Sequence, residues 1–202
     1  MATEFYELNN LETLKSQDYE TYFGAMDLTK AQKERRIKIA EQLEDGFMFV
    51  LSLISVWNNF SAVDWDYIQS QFENAYNRVL DENSDMQDYV SNMSYNLTES
   101  TKNNLGSEYS LSYDRARYIA ENEVNAIDGH EEYVEAVKSG KTRKTWRTMI
   151  DGKVRHTHAV LEGKAIPIYG FFEVGDSLMR YPKDELGSAE QTVNCRCCLK
   201  FS

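Results

Sequence analysis

Proline is nearly missing from this 202-residue chain, which has 2 prolines, 10 glycines and 3 cysteines. So little proline and glycine excludes collagen-like and Pro-rich low-complexity chains. The three cysteines crowd into residues 195–198. That is no disulfide framework, and a reducing cytoplasm is the expected setting. Long apolar runs are missing as well. The densest, residues 47–57, contains two serines and is too short to cross a bilayer, so no membrane association is expected. The opening MATEFYELNN has neither a basic region nor an apolar stretch, so no secretory signal is read there. The sequons at Asn59, Asn92 and Asn96 are accordingly read as coincidental. What is present is ample apolar material: a 42% hydrophobic content excludes wholesale disorder. The length suits one domain or two small ones.

The formal charge of -11 is unevenly spread. Residues 1–100 carry 7 Lys+Arg against 18 Asp+Glu, whereas residues 101–202 carry 15 of each. Two functional halves are expected, with an acidic first half that phosphate would repel.

That first half, residues 1–100, reads as an acidic helical region. Leu43, Phe47, Val50, Leu51, Ile54 and Trp57 recur in steps of three and four and predict a helix over 29–58. Phe49, Leu53 and Val56 widen its apolar face, and its charged start, KAQKERRIKIAEQLED, reads as solvated. A second helix is expected from Ser61 or Asp64 to Leu80 and a third over 84–97. Residues 98–110 are polar and aperiodic, which places a domain boundary there. A long fourth helix follows over 111–138, with Gly129 as a break or close contact and Ser139-Gly140 as its stop.

After Gly140 the period shortens. KTWRTMI alternates as a strand does, and Asp151-Gly152 is a hairpin signal. Short strands are expected at 165–168, 178–181 and 193–201. In the last, Cys195, Cys197, Leu199 and Phe201 share one face, and Asn194, Arg196, Cys198 and Lys200 the other. The fold class is therefore α+β: an N-terminal helical region, then a long helix packed on a small, mostly antiparallel sheet.

The second half holds an ordered series of motifs. RARYIAENE begins at Arg115 and ends at Glu123. KTRKTW leads to Trp146. Asp151, Arg155, His158, Leu161 and Gly163 form D-x-x-x-R-x-x-H-x-x-L-x-G. YPKD covers 181–184, and Asn194, Cys195, Arg196 and Cys197 close the series as NCRC. In this order the motifs resemble the phage Mu F-like minor head protein family, or phage head morphogenesis domain, over residues 111–202. The resemblance implies a minor head protein of a tailed phage or prophage. Such a protein enters the procapsid, meets the portal protein and other head or scaffold proteins, and contacts packaged double-stranded DNA. It would sit in the virion head interior, and in host cytoplasm during assembly. Some relatives carry C-x-x-C between the aspartate and the glycine, where this chain reads VRHT over 154–157.

The residues themselves leave three readings of the His/Cys cluster. One is a zinc site using His156 or His158 with Cys195 and Cys197, although C-x-C along a straight strand spaces the thiols poorly. Another is a Cys–His nucleophile, which makes the runner-up function a metal- or thiol-dependent enzyme. The adopted reading is structural, with no catalytic residue and no cofactor. Buried cysteines act as small hydrophobes, Arg155 and Arg196 pair with Glu123, Asp151 or Asp184, and His158 bonds a backbone or carboxylate group. It makes Arg196→Ala a misfolding variant. His130 is expected to cap a helix or face solvent. Lys141, Arg143, Lys144 and Arg147 form a basic stretch around Trp146 suited to DNA or an acidic partner. Gly-rich phosphate loops, G-x-S-x-G and H-E-x-x-H are absent, so common NTPase, serine-hydrolase and zincin chemistries have no support.

Overall fold

The computed structural model describes residues 18–57, 59–80 and 84–202. The reading of the first seventeen residues lies outside this set. The elements run α1 (Tyr19–Gly24), α2 (Lys30–Ser55), α3 (Trp65–Asn77), α4 (Gln87–Asn103), α5 (Tyr113–Lys138), β1 (Arg143–Arg147), α6 (His156–Ala159), β2 (Ala165–Pro167), β3 (Phe172–Val174), β4 (Ser177–Met179), α7 (Ala189–Thr192) and β5 (Cys198–Phe201). The four long helices stand where periodicity expected them. α4 runs six residues past its expected end, into the polar stretch, and α5 passes Gly129 without a break. No helix of the described residues is long and apolar enough to cross a membrane.

The described residues form two compact units, one of residues 38–121 and one of residues 18–37 with 122–202. In the first, Leu43, Phe47, Val50, Leu51 and Ile54 of α2 are essentially fully buried. Phe47 meets Phe72 and Tyr76 of α3 at ring separations of 6.0 and 5.3 Å. Gly46 permits this approach, because a Cβ there would lie 2.8 Å from that of Ala75. Asp64 caps α3 by accepting from the Tyr67 N–H. The widened face holds only in part: Phe49 and Val56 are exposed and Leu53 is half-buried, while Trp57, expected on the main stripe, is exposed just past the end of the helix. Arg115 is buried and donates to Thr101 Oγ1 and the Ser110 carbonyl, both at 2.8 Å.

Burial also raises the Glu121 carboxyl to about 7, opposed by Arg117 and aided by the Glu44 charge. A folded-state value above the ordinary 4.5 means that the native chain holds the proton more tightly than the unfolded chain. Its contribution is therefore favourable at low pH and is lost as pH rises from the ordinary value through about 7. Glu121→Gln is expected to stabilise the protein by on the order of 2 kcal/mol at about pH 8 and by little at about pH 5. Thermal melts at the two pH values check this, and equal shifts would remove the burial argument.

In the second unit a three-stranded antiparallel sheet has the order β2-β1-β5, and β3 and β4 form a separate hairpin. The hairpin turn is Gly175-Asp176, with Gly175 at φ +62. Asp151-Gly152, expected to close a hairpin, does not. The antiparallel partner of β1 arrives only at β2, and Asp151 folds back on the Lys153 N–H instead. The expected strand at 193–201 is shorter, since β5 begins at Cys198. Asn194 adopts φ +54 and turns the chain, a conformation asparagine tolerates well. The core of this unit is Trp146, Leu161, Phe172, Val174, Met179, Tyr181, Cys195, Cys197 and Leu199, with Tyr133 of α5 packed against it. The α+β expectation of a long helix on a small antiparallel sheet holds here.

The charged start of α2, expected to be solvated, is so on one side only: Lys30, Glu34, Arg35 and Lys38 are exposed. Arg36, Ile39 and Ala40 are buried. The Arg36 side chain reaches Asp128 Oδ2 at 2.8 Å, Asn125 Oδ1 at 2.6 Å and Glu132 Oε2 at 3.2 Å, all on α5.

Candidate functional site

Arg155, His158, Cys195 and Cys197 of the motif series meet around α6. Arg155 precedes this helix in an extended conformation, and its guanidinium donates to the Val193 carbonyl. That bond ties α6 to the turn before β5. The Asn194 N–H donates to Asn122 Oδ1 of α5 at 3.0 Å, and the same oxygen accepts from Lys183 Nζ at 3.1 Å. Held this way, the turn delivers Cys195 and Cys197 to His158. The His158 Nδ1 lies 3.4 Å from Cys197 Sγ and 3.5 Å from Cys195 Sγ. All three side chains are buried. The Trp146 ring meets the His158 ring edge-on at 5.6 Å and Phe172 at 5.0 Å.

The two thiols share their protons unequally. Cys195 is held well below the usual thiol range by the hydrogen bond from Cys197, reinforced by His158 and working against burial. Cys197 is pushed up by that same bond and by burial. Lys183 is buried between opposing influences: burial lowers its pKa, while Glu123 and Cys195 favour its charge. Cys198 faces away, toward the Asp27 carbonyl at 3.4 Å, and burial lifts it to about 11.

Several expectations need correcting. His158 faces two sulfurs, not a carboxylate. His156 is exposed and stands outside the cluster. Asp184 is taken by Arg180, whose Nε and Nη2 both lie at 2.8 Å. Arg196 does meet Asp151, through Nη2 to both oxygens at 3.0 and 2.8 Å. The pair is part-exposed, which lowers the expected cost of Arg196→Ala to about 1 kcal/mol, to be checked by its urea denaturation midpoint. Arg115 lies in the other unit. His130, expected at the surface, is buried with Nδ1 2.8 Å from the Tyr181 hydroxyl.

The basic stretch is largely consumed by the fold. Lys141 and Arg143 are exposed. Arg147 pairs with Asp27 at 3.0 Å and Glu162 at 2.9 Å. Lys144 is 0% exposed, because β1 alternates and turns it inward beside Trp146. Its Nζ sits 4.6 Å from the centre of the Tyr133 ring, so it reaches no phosphate. Burial lowers the Lys144 pKa to about 8. A folded-state value below the unfolded one means that stability rises with pH from about 8 to the ordinary 10.5. Lys144→Met is expected to stabilise the protein at neutral pH, with a gain that shrinks as pH climbs through that window. A gain that is flat in pH would contradict this.

Sequence reasoning missed Arg36, Lys144 and Lys183 as interior residues. A signal existed for the first two. Arg36 lies three residues before the buried Ile39, and Lys144 shares a strand face with Trp146.

The family model described as Phage Mu protein F like protein matches residues 71–200, more than half of the chain. The match begins inside α3, ahead of the 111 expected from the motifs. Among curated proteins the chain is similar to the NAD(+)--arginine ADP-ribosyltransferase EFV of Enterococcus faecalis, 31% identical over 97 residues. Those residues are 46% of this chain and 20% of that protein, so the chain spans about a fifth of the relative's length. No solved structure matches.

Proposed function

We propose, from the premise that this chain belongs to the Phage Mu protein F like family, that it is a non-enzymatic minor head protein of a tailed phage or prophage. It is built into the procapsid near the portal. The observation that carries this reading is the reach of the family match, which runs from within α3 through α4 and α5 to the last residue but one of the sheet. The motif residues support it. They serve as ties between segments, and the side chains of the His/Cys cluster are buried. Exposed apolar side chains of the first unit, Trp57 and Phe60 among them, offer docking surface for a portal or scaffold protein. DNA contact narrows to Lys141 and Arg143.

The test is co-expression of the full chain with the portal and capsid proteins of its own phage, followed by particle composition analysis. The wild-type chain is expected in the particles, and Trp57→Glu/Phe60→Glu is expected to be depleted. Particles that form normally without taking up the wild-type chain would refute the reading.

A second reading is favoured by the curated relative: the shared segment is a module that also accompanies an ADP-ribosyltransferase, and this chain contributes to such an activity. NAD+ consumption by the purified chain tests it. The head-protein reading expects none, and turnover would reverse the choice.

A further inference from the structure

The cluster of His158, Cys195 and Cys197 has a geometry that hydrogen bonding alone explains poorly. The imidazole Nδ1 carries either one proton or one lone pair, so it serves one partner well. Here it stands almost equidistant from two sulfurs, at 3.4 and 3.5 Å. All three donor atoms lie within 4.8 Å of one another. Tetrahedral zinc, with Zn–N of about 2.0–2.1 Å and Zn–S of about 2.3 Å, sets N···S at about 3.6 Å and S···S at about 3.8 Å. The two N···S distances are already those of a zinc centre to within about 0.2 Å.

The objection drawn from C-x-C in a straight strand falls away. The thiols are delivered by the turn at Asn194, ahead of β5. Charge also balances, because two thiolates neutralise the dication and a neutral centre can lie in an apolar cluster without an unpaired charge.

We propose that His158 Nδ1, Cys195 Sγ and Cys197 Sγ bind one Zn²⁺ per chain, with water as the fourth ligand, and that the ion locks α6 to the turn before β5. The remaining cysteine is directed at Asp27 and takes no part. On binding, each sulfur still carrying a proton releases it to solvent and the imidazole binds neutral. His158 is 1% and Cys195 2% exposed, which keeps a substrate away from the ion, so the centre is a staple. Cys197 also lines a small pocket together with Gly129 and Pro182.

The experiment is metal analysis of the reduced full chain, followed by cobalt(II) titration as a spectroscopic stand-in for zinc. One zinc per chain is expected. Cobalt should give thiolate charge-transfer and tetrahedral ligand-field absorption that saturates at one equivalent and is displaced by zinc. His158→Ala and Cys197→Ser are each expected to weaken binding by more than the ~10- to 100-fold that loss of an outer-shell partner produces. Cys198→Ser should bind as wild type. Should the ligand variants fail to fold, the wild-type titration and Cys198→Ser still decide. No charge-transfer band from folded wild-type protein would overturn the site, as would a Cys198→Ser spectrum that has lost it. Neither outcome bears on head assembly, so this inference and the proposed function fail separately.

Discussion

Arg36→Ala is expected to destabilise the protein by about 3–5 kcal/mol, a large fraction of the stability of a domain this size. The guanidinium is 1% exposed and holds three side chains of one helix, Asn125, Asp128 and Glu132. Asp128 is 0% exposed, and without Arg36 its cation among the described residues is Arg35, itself half exposed. Glu132 already has a raised pKa, chiefly from burial, with Arg36 as the largest opposing influence. Alanine would leave two buried carboxyls facing each other with one cation too few. Arg36→Lys should recover only part of the loss, because a point charge cannot match a planar fork with three partners. Urea denaturation midpoints measure both variants, and an Arg36→Ala loss below about 1 kcal/mol would show that the network carries little.

Trp146→Ala is expected to cost a similar 3–5 kcal/mol, through a different mechanism. The indole is fully buried at the centre of the second unit's core. It walls one side of the His158 ring and packs edge-on against Phe172. Its removal opens a cavity that the sheet cannot close, since β1 is pinned on both edges by β2 and β5. Trp146→Phe should retain most of the stability. Both variants should lower cobalt affinity without touching a ligand, because His158 loses the surface that orients it. A Trp146→Ala protein as stable as wild type would mean that the core is organised around another residue.

The ion networks were hard to read for a common reason. Periodicity registers hydrophobicity, so Arg36 and Lys144 look like solvated charges whatever surrounds them. Arg36 becomes an interior residue only when Asp128 arrives from far along the chain. Lys144 becomes one because the alternation that buries Trp146 buries it too. The cysteine faces were legible even though the strand was drawn too long. Cys195, Cys197 and Leu199 join the core and Cys198 points the other way, because alternation survives a turn that precedes the strand. The hairpin was misplaced because Asp-Gly and Gly-Asp are both good turn pairs. Only the pairing of β1 with a distant β2 decides that 151–152 is not a hairpin and 175–176 is.

Local pattern alone settled the helices, the apolar stripe of α2, the sidedness of the cysteines and the family resemblance. Each depends on spacing within one segment, which the chain carries wherever it folds. Which charges lie inside, which carboxylate each arginine takes and whether His158 meets two sulfurs were decided only in three dimensions. These depend on distances between segments remote in sequence, and a polar group enters the interior only where such a partner waits for it.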